Sequence, residues 1–210
     1  MEYTLLTADT TAAAEAIAAG RVAAVPTGTS YALAADALQG MAIQRVKQLK
    51  GRPPEKPFSV FLDAAHWDEF LRLTVDEQAL LQTFAARPLT LLVAPAPDLA
   101  HLALDGRVAL RTIDRPEMQQ LAEQLAVPLT ATSANKSGQP ACRDAQCVLD
   151  NFPGRIDEST YDLSLAVIID GGRLPEKPPT TIAKIEGNNI SILRQGEITA
   201  EEVQRALAAQ

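Results

Sequence analysis

The chain has 210 residues, a formal net charge of -7, and a composition that is 47% hydrophobic, 21% charged and 4% aromatic. This composition is typical of a globular protein whose core is built from Ala, Leu, Val and Ile. The acidic balance argues against a surface coated with basic residues for nucleic acid, although it leaves room for a local basic groove.

Signals for export and membrane insertion are missing. The first residues carry neither the basic nor the apolar region of a secretory signal, and no apolar run approaches the roughly 20 residues of a membrane span. Cys142 and Cys147 are spaced C-x4-C without a second pair, unlike the usual zinc pattern. We therefore expect a cytoplasmic protein without membrane contact, carrying two independent, half-buried thiols.

Apolar periodicity and turn residues predict alternating helices and strands. Helices are predicted over 12–19 (capped by Thr10 or Thr11), 41–50 (ended by Gly51), 64–73, 75–84, 116–125, 144–150 and from about Thr199. Strands are predicted over 22–25, 57–62, 89–93, 107–113, 128–132, 166–170, 180–185 and 189–194, with a hairpin turn at Gly187-Asn188. The alternation predicts one α/β domain over 1–210, a mixed sheet covered by helices.

Several common catalytic motifs are absent from the sequence. It contains no phosphate loop G-x-x-x-x-G-K-[ST], no G-x-G-x-x-G fingerprint and no G-x-S-x-G nucleophile elbow. The only histidines are His66 and His101, so a His-based triad or a multi-His metal site is disfavoured. Chemistry must therefore depend on other groups of polar and charged side chains.

One such group is the rigid cationic turn Lys50-Gly51-Arg52-Pro53-Pro54-Glu55-Lys56-Pro57. Arg binds phosphate oxygens through its planar fork and Lys acts as a point charge, so this turn suits a polyphosphate. The alternative is that Lys50 complements the negative end of its own helix while Arg52 is simply solvated. Composition alone favours the alternative, because cations at helix C-termini are common.

Two polar loops follow predicted strands. Residues 132–138 include Ser133 and Asn135, which offer donors and acceptors beyond a strand end, where ligands of open α/β sheets bind. Residues 26–31 include Thr29 and could hold a small polar substrate. Both compositions are also typical of ordinary turns and helix caps.

Two arginines occupy strand positions. Arg111 lies in a strand that reads as half buried, so it needs an anionic partner. That partner is either an internal carboxylate, such as Asp36 or Asp170, or the carboxylate of a substrate. Arg194 ends a strand just before Gly196, where a solvent-facing Arg is the ordinary alternative.

In this order and spacing, the motifs resemble those of the YrdC/YciO-like family of threonylcarbamoyl-AMP synthases. The resemblance runs from about Val22 to Gly196. Its most specific parts are K-x-R at residues 50–52, S-x-N at 133–135 and Leu-Arg-x-Gly at 193–196, supported by segments 25–33, 108–111 and 180–182. It implies a twisted mixed sheet around a cationic cavity, in a short form of the family without the extra C-terminal domain.

The resemblance also implies an activity. The chain would be an L-threonylcarbamoyladenylate synthase, a nucleotidyltransferase that condenses L-threonine, bicarbonate and ATP to threonylcarbamoyl-AMP and pyrophosphate. The product would serve threonylcarbamoyladenosine modification of tRNA, so tRNA and tRNA-modification proteins could be further partners. Mg²⁺ would arrive bound to ATP, and no protein side chain is identified as a metal ligand.

Site residues follow from the same resemblance. ATP would meet Lys50, Arg52, Lys56, Ser133, Asn135 and Arg194, with Lys50 and Arg52 as the catalytic residues. Threonine would meet Thr29, Arg111, Ala131 and Thr180, with Arg111 on its carboxylate.

Two other functions stay open at this point. Residues 31–33 and 177–181 lean towards the YciO-like branch, whose members would act on a related nucleotide or carbamoyl compound. A non-catalytic RNA-binding module could use a cationic concavity for the RNA backbone. The acidic charge and the scarcity of aromatic residues for base stacking disfavour the RNA-binding alternative.

Overall fold

The computed structural model describes residues 5–53, 58–153, 164–187 and 189–209. The strands are β1 (Leu5–Thr7), β2 (Val22–Pro26), β3 (Tyr31–Ala34), β4 (Ser59–Phe61), β5 (Leu71–Arg72), β6 (Leu89–Pro95), β7 (Val108–Arg111), β8 (Leu129–Ser133), β9 (Leu165–Ile169), β10 (Thr181–Glu186) and β11 (Asn189–Arg194). The α-helices are α1 (Thr10–Ala18), α2 (Gly40–Lys50), α3 (Trp67–Phe70), α4 (Val75–Thr83), α5 (Pro116–Leu125), α6 (Ala145–Asn151) and α7 (Ala200–Ala208), with 3-10 helices at Ala64–His66 and Pro97–Leu102. No helix in the described part of the chain has the length and hydropathy needed to cross a bilayer.

The strands form one mixed sheet. Its order is β1-β9-β2-β3-β8-β4-β7-β6-β10-β11, and β5 pairs with β6 beside this path. The pairs β1/β9, β9/β2, β4/β7 and β6/β10 are parallel, whereas β2/β3, β3/β8, β8/β4, β7/β6, β10/β11 and β5/β6 are antiparallel. The predicted mixed sheet is confirmed.

Side chains that alternate along β2 divide the interior into two cores, because successive strand residues point to opposite faces. Val22 and Ala24 belong to a core that also contains buried side chains of α2, α4, α6 and α7. Ala23 and Val25 belong to the second core, which contains buried side chains of α1 and α5. Helices therefore cover both faces of the sheet, as the alternating sequence pattern predicts.

The end of α2 directs the chain towards the site described below. Ala42, Ile43, Val46 and Leu49 are buried on one face of this helix, as their spacing predicts. Gly51 then adopts the left-handed conformation, with φ 60° and ψ 41°. This is the helix stop that glycine favours, because it has no Cβ to clash there.

Three predictions of local structure are wrong. The helix predicted over 64–73 breaks up, because residues 71–72 pair with Pro95 and Ala94 of β6 as a short strand. Tyr31, predicted as the end of a polar loop, instead begins the four-residue strand β3, which pairs with β2 and β8. The cap of α1 is Asp9, whose carboxylate accepts a hydrogen bond from the Thr11 N–H at 2.8 Å.

The two cysteines also differ from the prediction. Cys142 and Cys147 form a disulfide with their Cα atoms 5.4 Å apart, so the prediction of two independent thiols is wrong. The bond closes a short loop at the start of α6, where the Asp144 carboxylate accepts a hydrogen bond from the Cys147 N–H at 2.8 Å.

Candidate functional site

A cavity of about 1190 Å³ opens between the loops that follow β2 and β8 and the strands β10 and β11. Seven of the ten predicted site residues line it: Thr29, Arg52, Arg111, Ala131, Ser133, Thr180 and Arg194. Other charged side chains in its wall are Asp105, Arg107, Arg143, Asp144, Glu176, Lys177 and Lys184. Cations outnumber carboxylates along this wall, so the cavity attracts anionic ligands. Its volume lies somewhat above the range of typical single-ligand pockets, which is about 300–1,000 Å³.

The K-x-R turn and the S-x-N loop meet at Lys50. Its ammonium donates hydrogen bonds to the carbonyl oxygen of Ser133 and to the carbonyl oxygen of Asn135, the latter at 2.9 Å, and lies 3.4 Å from Asn135 Oδ1. The Lys50 carbonyl oxygen in turn accepts a hydrogen bond from the Ser137 N–H at 2.7 Å. The expectation that these two segments come together is confirmed for the described residues of the turn.

Lys50 and Asn135 lie behind the cavity wall. They are 3% and 6% exposed, and neither is among the residues that line the cavity. Burial, and then the neighbouring Arg52 charge, lower the pKa of Lys50 from 10.5 to about 8. The ammonium therefore stays charged at neutral pH. Its hydrogen bonds hold the S-x-N loop from the side away from the cavity, and within the described part of the chain the ammonium does not bond to the end of its own helix.

Arg52 reaches the cavity itself. It is half-buried in the wall, and its guanidinium carbon lies 5.0 Å from the ring centroid of Phe58, a cation–π contact that restrains the side chain. Burial lowers the pKa of Arg52, but an arginine stays protonated at any physiological pH. A restrained cation in a cavity wall is suited to bind phosphate oxygens. Lys56, the third cation of the predicted turn, lies outside the described residues.

Arg111 forms the second cationic point of the cavity. Its Nη2 donates hydrogen bonds to Thr27 Oγ1 at 3.0 Å and Thr29 Oγ1 at 2.9 Å, and its guanidinium carbon lies 5.2 Å from the Phe61 ring centroid. Burial lowers the pKa of Arg111; the nearby Asp114 carboxylate opposes this and the Arg194 cation adds to it. A buried, oriented guanidinium of this kind suits a small carboxylate.

The internal carboxylate near Arg111 is neither of the two that the sequence suggested. Asp114 Oδ2 lies 3.9 Å from Arg111 Nη2. Asp36 instead accepts hydrogen bonds from the Leu38 N–H and the Gln39 side chain, and Asp170 accepts one from the Gly172 N–H. Asp114 follows Arg111 by three residues, so its closeness in the sequence was a signal by which this partner could have been predicted.

A hydrogen bond joins Arg194, the last residue of β11, to Thr180, which directly precedes β10. Arg194 Nε donates a hydrogen bond to the Thr180 carbonyl oxygen at 3.0 Å. Thr180 Oγ1 lies 3.0 Å from Thr90 Oγ1 and donates to the Thr181 carbonyl oxygen at 3.2 Å. Arg194 is exposed, but its hydrogen bond to Thr180 holds its side chain against the cavity, which it lines.

Tyr31 has a structural role at the site that was not predicted from the sequence. Its side chain is fully buried, and its hydroxyl accepts a hydrogen bond from the Gly171 N–H at 3.0 Å and donates one to the Gly172 carbonyl oxygen at 2.9 Å. Burial raises the pKa of Tyr31 to about 12. Tyr31 therefore remains a neutral bridge that holds the 27–31 loop against the turn after β9.

Comparison with known proteins shows to which family the chain belongs. The model of the Sua5/YciO/YrdC family, described as telomere recombination, matches residues 15–196. The chain belongs to this family. It is 31% identical over 200 residues to a threonylcarbamoyl-AMP synthase of Pyrococcus abyssi, covering 93% of this chain and 56% of that relative. It is 34% identical over 193 residues to a threonylcarbamoyl-AMP synthase of Vibrio cholerae, covering 88% of this chain and 95% of that relative.

A solved member of the Sua5/YciO/YrdC family has the same fold. The crystal structure of Pyrococcus abyssi Sua5 complexed with L-threonine superposes with a TM-score of 0.81 at 26% sequence identity. The match covers 97% of this chain and 60% of that chain. The chain thus spans little more than half the length of its Pyrococcus abyssi relative and corresponds to one part of it.

Proposed function

We propose that the chain is an L-threonylcarbamoyladenylate synthase, which condenses L-threonine, bicarbonate and ATP to threonylcarbamoyl-AMP and pyrophosphate. The observation that carries this proposal is the presence of two separate cationic points, Arg52 and Arg111, in the wall of one cavity. One suits a polyphosphate and the other a small carboxylate. The relatives that bear this activity in their names, and the relative crystallised with L-threonine, support the same assignment.

ATP would occupy the side of the cavity formed by the K-x-R turn and the S-x-N loop. Arg52, Ser133 and Arg194 would contact the nucleotide directly, because all three line the cavity. Lys50, predicted to be catalytic together with Arg52, would add its charge from behind the loop it holds in place with Asn135. Lys56 would supply a further cation.

Threonine would occupy the side formed by Arg111. The guanidinium would take the carboxylate, while the hydroxyls of Thr29 and Thr180 and the main chain at Ala131 would contact the rest of the amino acid. Thr29 Oγ1 accepts a hydrogen bond from Arg111, so its remaining donor is suited to a substrate oxygen.

The proposed transfer depends mainly on alignment of the two reactants and on stabilisation of the negative charge of the leaving group. Bicarbonate loses hydroxide to give carbon dioxide, and the neutral amino nitrogen of threonine bonds to that carbon and gives up a proton, so that one water leaves overall. An oxygen of the resulting carbamate then attacks the α-phosphorus of ATP. A phosphorus–oxygen bond forms to that carbamate as the bond to pyrophosphate breaks. Cations that stabilise the departing pyrophosphate and hold both reactants close supply most of what such a transfer requires.

Mg²⁺ would enter with the nucleotide. Among the described residues, no group of three or more His, Cys, Asp and Glu side chains is arranged to hold a metal ion. An Mg²⁺ ion bound by phosphate oxygens is the usual arrangement when the protein offers few carboxylates. When bound, it would share the charge of the leaving pyrophosphate with Arg52.

The proposal also includes the pathway, the compartment and the partners of this activity. The product would serve threonylcarbamoyladenosine modification of tRNA in the cytoplasm, with tRNA and tRNA-modification proteins as partners. Residues 1–210 would act as one YrdC-like domain, supported by the continuous sheet that runs through the described segments.

Mass spectrometry tests the proposal directly. The purified protein, incubated with ATP, Mg²⁺, bicarbonate and L-threonine, should form threonylcarbamoyl-AMP. Arg52→Ala and Lys50→Ala should nearly abolish the product, and Arg111→Ala should weaken threonine binding far more than ATP binding in calorimetric titrations. Full turnover by Arg52→Ala, or an equal loss of both ligands in Arg111→Ala, would contradict the assigned roles. ATP consumption that ignores threonine would indicate a YciO-like activity, and salt-sensitive tRNA binding without turnover an RNA-binding module.

A further inference from the structure

Asp114 is buried behind the part of the cavity that holds Arg111 and Thr29. Its side chain is 3% exposed, and Asp114 itself is not among the cavity-lining residues. Its Oδ1 accepts a hydrogen bond from the Gly28 N–H at 2.9 Å. The loop that carries Thr29 is therefore anchored to a carboxylate that a ligand in the cavity does not touch.

Gly28 is shaped to this carboxylate. A Cβ atom built on Gly28 would lie 2.1 Å from Asp114 Oδ2 and 2.6 Å from Asp114 Cγ. A Cβ atom essentially never makes non-bonded contacts shorter than 3.0 Å, so the carboxylate occupies the space that any side chain at position 28 would need. Positions 28 and 114 thus share one volume, which only one of them can fill.

The same carboxylate faces the buried charge of Arg111. Asp114 Oδ2 lies 3.9 Å from Arg111 Nη2, which is within Coulombic reach but beyond hydrogen-bond distance. Within the described residues, Arg111 Nε and Asp114 Oδ2 are buried without a hydrogen-bond partner. Asp114 therefore offsets the guanidinium charge without occupying its donors, while Arg111 Nη2 bonds to Thr27 and Thr29.

We propose that Asp114 is a positioning residue for the amino-acid half of the site, holding the Thr27–Thr29 turn through Gly28 and the Arg111 guanidinium through its charge. This inference rests on the proposed function, in which Arg111 and Thr29 bind threonine. Because both groups are anchored to one carboxylate, loss of that carboxylate affects threonine and leaves the Arg52 side of the cavity in place.

The test measures threonine and ATP affinity separately by calorimetry. Asp114→Ala removes both the acceptor of the Gly28 N–H and the charge beside Arg111. Threonine affinity should therefore fall by roughly tenfold or more, as when one partner of a buried charge pair is truncated. ATP affinity should change by less than about threefold, because its ligands are untouched. Unchanged threonine affinity, or an equal loss for both ligands, overturns the proposal.

A relocation variant distinguishes positioning from a general effect on folding. Asp114→Ala combined with Gly28→Asp moves the carboxylate to the other side of the shared space, and should recover threonine affinity relative to Asp114→Ala alone. Gly28→Asp alone forces two side chains into one volume and should bind threonine worse than wild type. No recovery in the double variant overturns the proposal, and so does wild-type affinity in Gly28→Asp.

A ligand-free measurement separates this inference from the proposed function. In NMR hydrogen exchange, the Gly28 amide should be protected in the wild type and exchange faster in Asp114→Ala, whereas the Tyr31 amide, bonded to the Cys142 carbonyl oxygen at 2.8 Å, should stay protected. An unaffected Gly28 amide overturns the positioning role whatever the substrate. A wild-type protein that binds ATP but not threonine refutes the proposed function instead, even when Gly28 responds as expected.

Discussion

Gly196→Ala is the substitution for which the structure gives the sharpest expectation. A Cβ on Gly196 would lie 2.1 Å from the Pro179 carbonyl oxygen, 2.5 Å from the Thr181 nitrogen and 2.6 Å from the Thr180 carbonyl carbon. All three atoms are main chain, so no side-chain rotation can relieve the overlap. Restoring ordinary contact with the Pro179 oxygen, which begins at 3.4 Å, requires the two chain segments to separate by about 1.3 Å, since well-packed interiors leave no spare space.

The energetic cost follows from which atoms must move. Separating the segments strains the hydrogen bond from the Gly196 N–H to Thr181 Oγ1, 3.0 Å long, and the one from the Ile198 N–H to the same oxygen, 3.1 Å long. Overpacking of this kind costs about 1–3 kcal/mol, and we expect the upper end because only main-chain shifts relieve it. For a chain of this length, a loss of about 3 kcal/mol lowers Tm by roughly 6–12 °C.

The assay is thermal unfolding followed by circular dichroism, with threonine binding measured on the same samples. Gly40→Ala is the matched control, because a Cβ at the start of α2 would meet no atom within 4 Å. That variant should unfold at or slightly above the wild-type temperature, as expected when alanine replaces a helical glycine. Gly196→Ala should also bind threonine more weakly, because Thr180 and Arg194 flank the displaced segment. Equal Tm values for the two variants would refute the reasoning.

Four further predictions concern Arg52, Lys50 and the disulfide. Arg52→Ala should lower product formation about 100-fold, because a cation that stabilises the leaving pyrophosphate is lost; turnover retained at the wild-type rate would contradict this. Because the pKa of Lys50 is lowered to about 8, its charge is lost as pH rises through that value, and calorimetry should find ATP affinity decreasing between about pH 7 and 9. From that pKa up to 10.5 the unfolded chain holds a proton that the native one lacks, so the Lys50 contribution to the free energy of unfolding rises with pH, a trend that Lys50→Met should remove. Dithiothreitol should lower the stability of the wild type by about 2 kcal/mol, as expected for opening a loop closed over a separation of 5 residues, and should leave a Cys142→Ala, Cys147→Ala variant unchanged; unaltered unfolding of the wild type would count against a structural disulfide.

Most helices and strands could be predicted from the sequence, because the longer ones have a clear apolar periodicity or a clear start or stop residue. The periodic apolar face of α2, and the proline that opens α5, predict both helices to within a residue. The elements it misses, β1, β3 and β5, are two to four residues long and exist only because neighbouring strands pair with them. Two to four residues contain too few alternations for a period to be recognised. The equally short strands β4 and β7 are predicted only as parts of longer patterns over 57–62 and 107–113.

The candidate site shows the same division. The polar loops and cationic turn are visible because hydroxyls, glycine and basic residues cluster at predicted strand and helix ends. The burial of Lys50 could not be predicted from the sequence, because its ammonium donates hydrogen bonds to carbonyl oxygens of residues 83 and 85 positions further along the chain. Contacts of that separation are decided by how the sheet is ordered, which local residue patterns do not encode.

The hydrogen bonds from Lys50 to Ser133 and Asn135 have a thermodynamic consequence for the proposed binding of ATP. Two stretches of chain that would otherwise fluctuate independently are already fixed together before any ligand arrives. Little conformational entropy is then left to lose on association, so more of the attraction between cations and phosphates is realised as affinity.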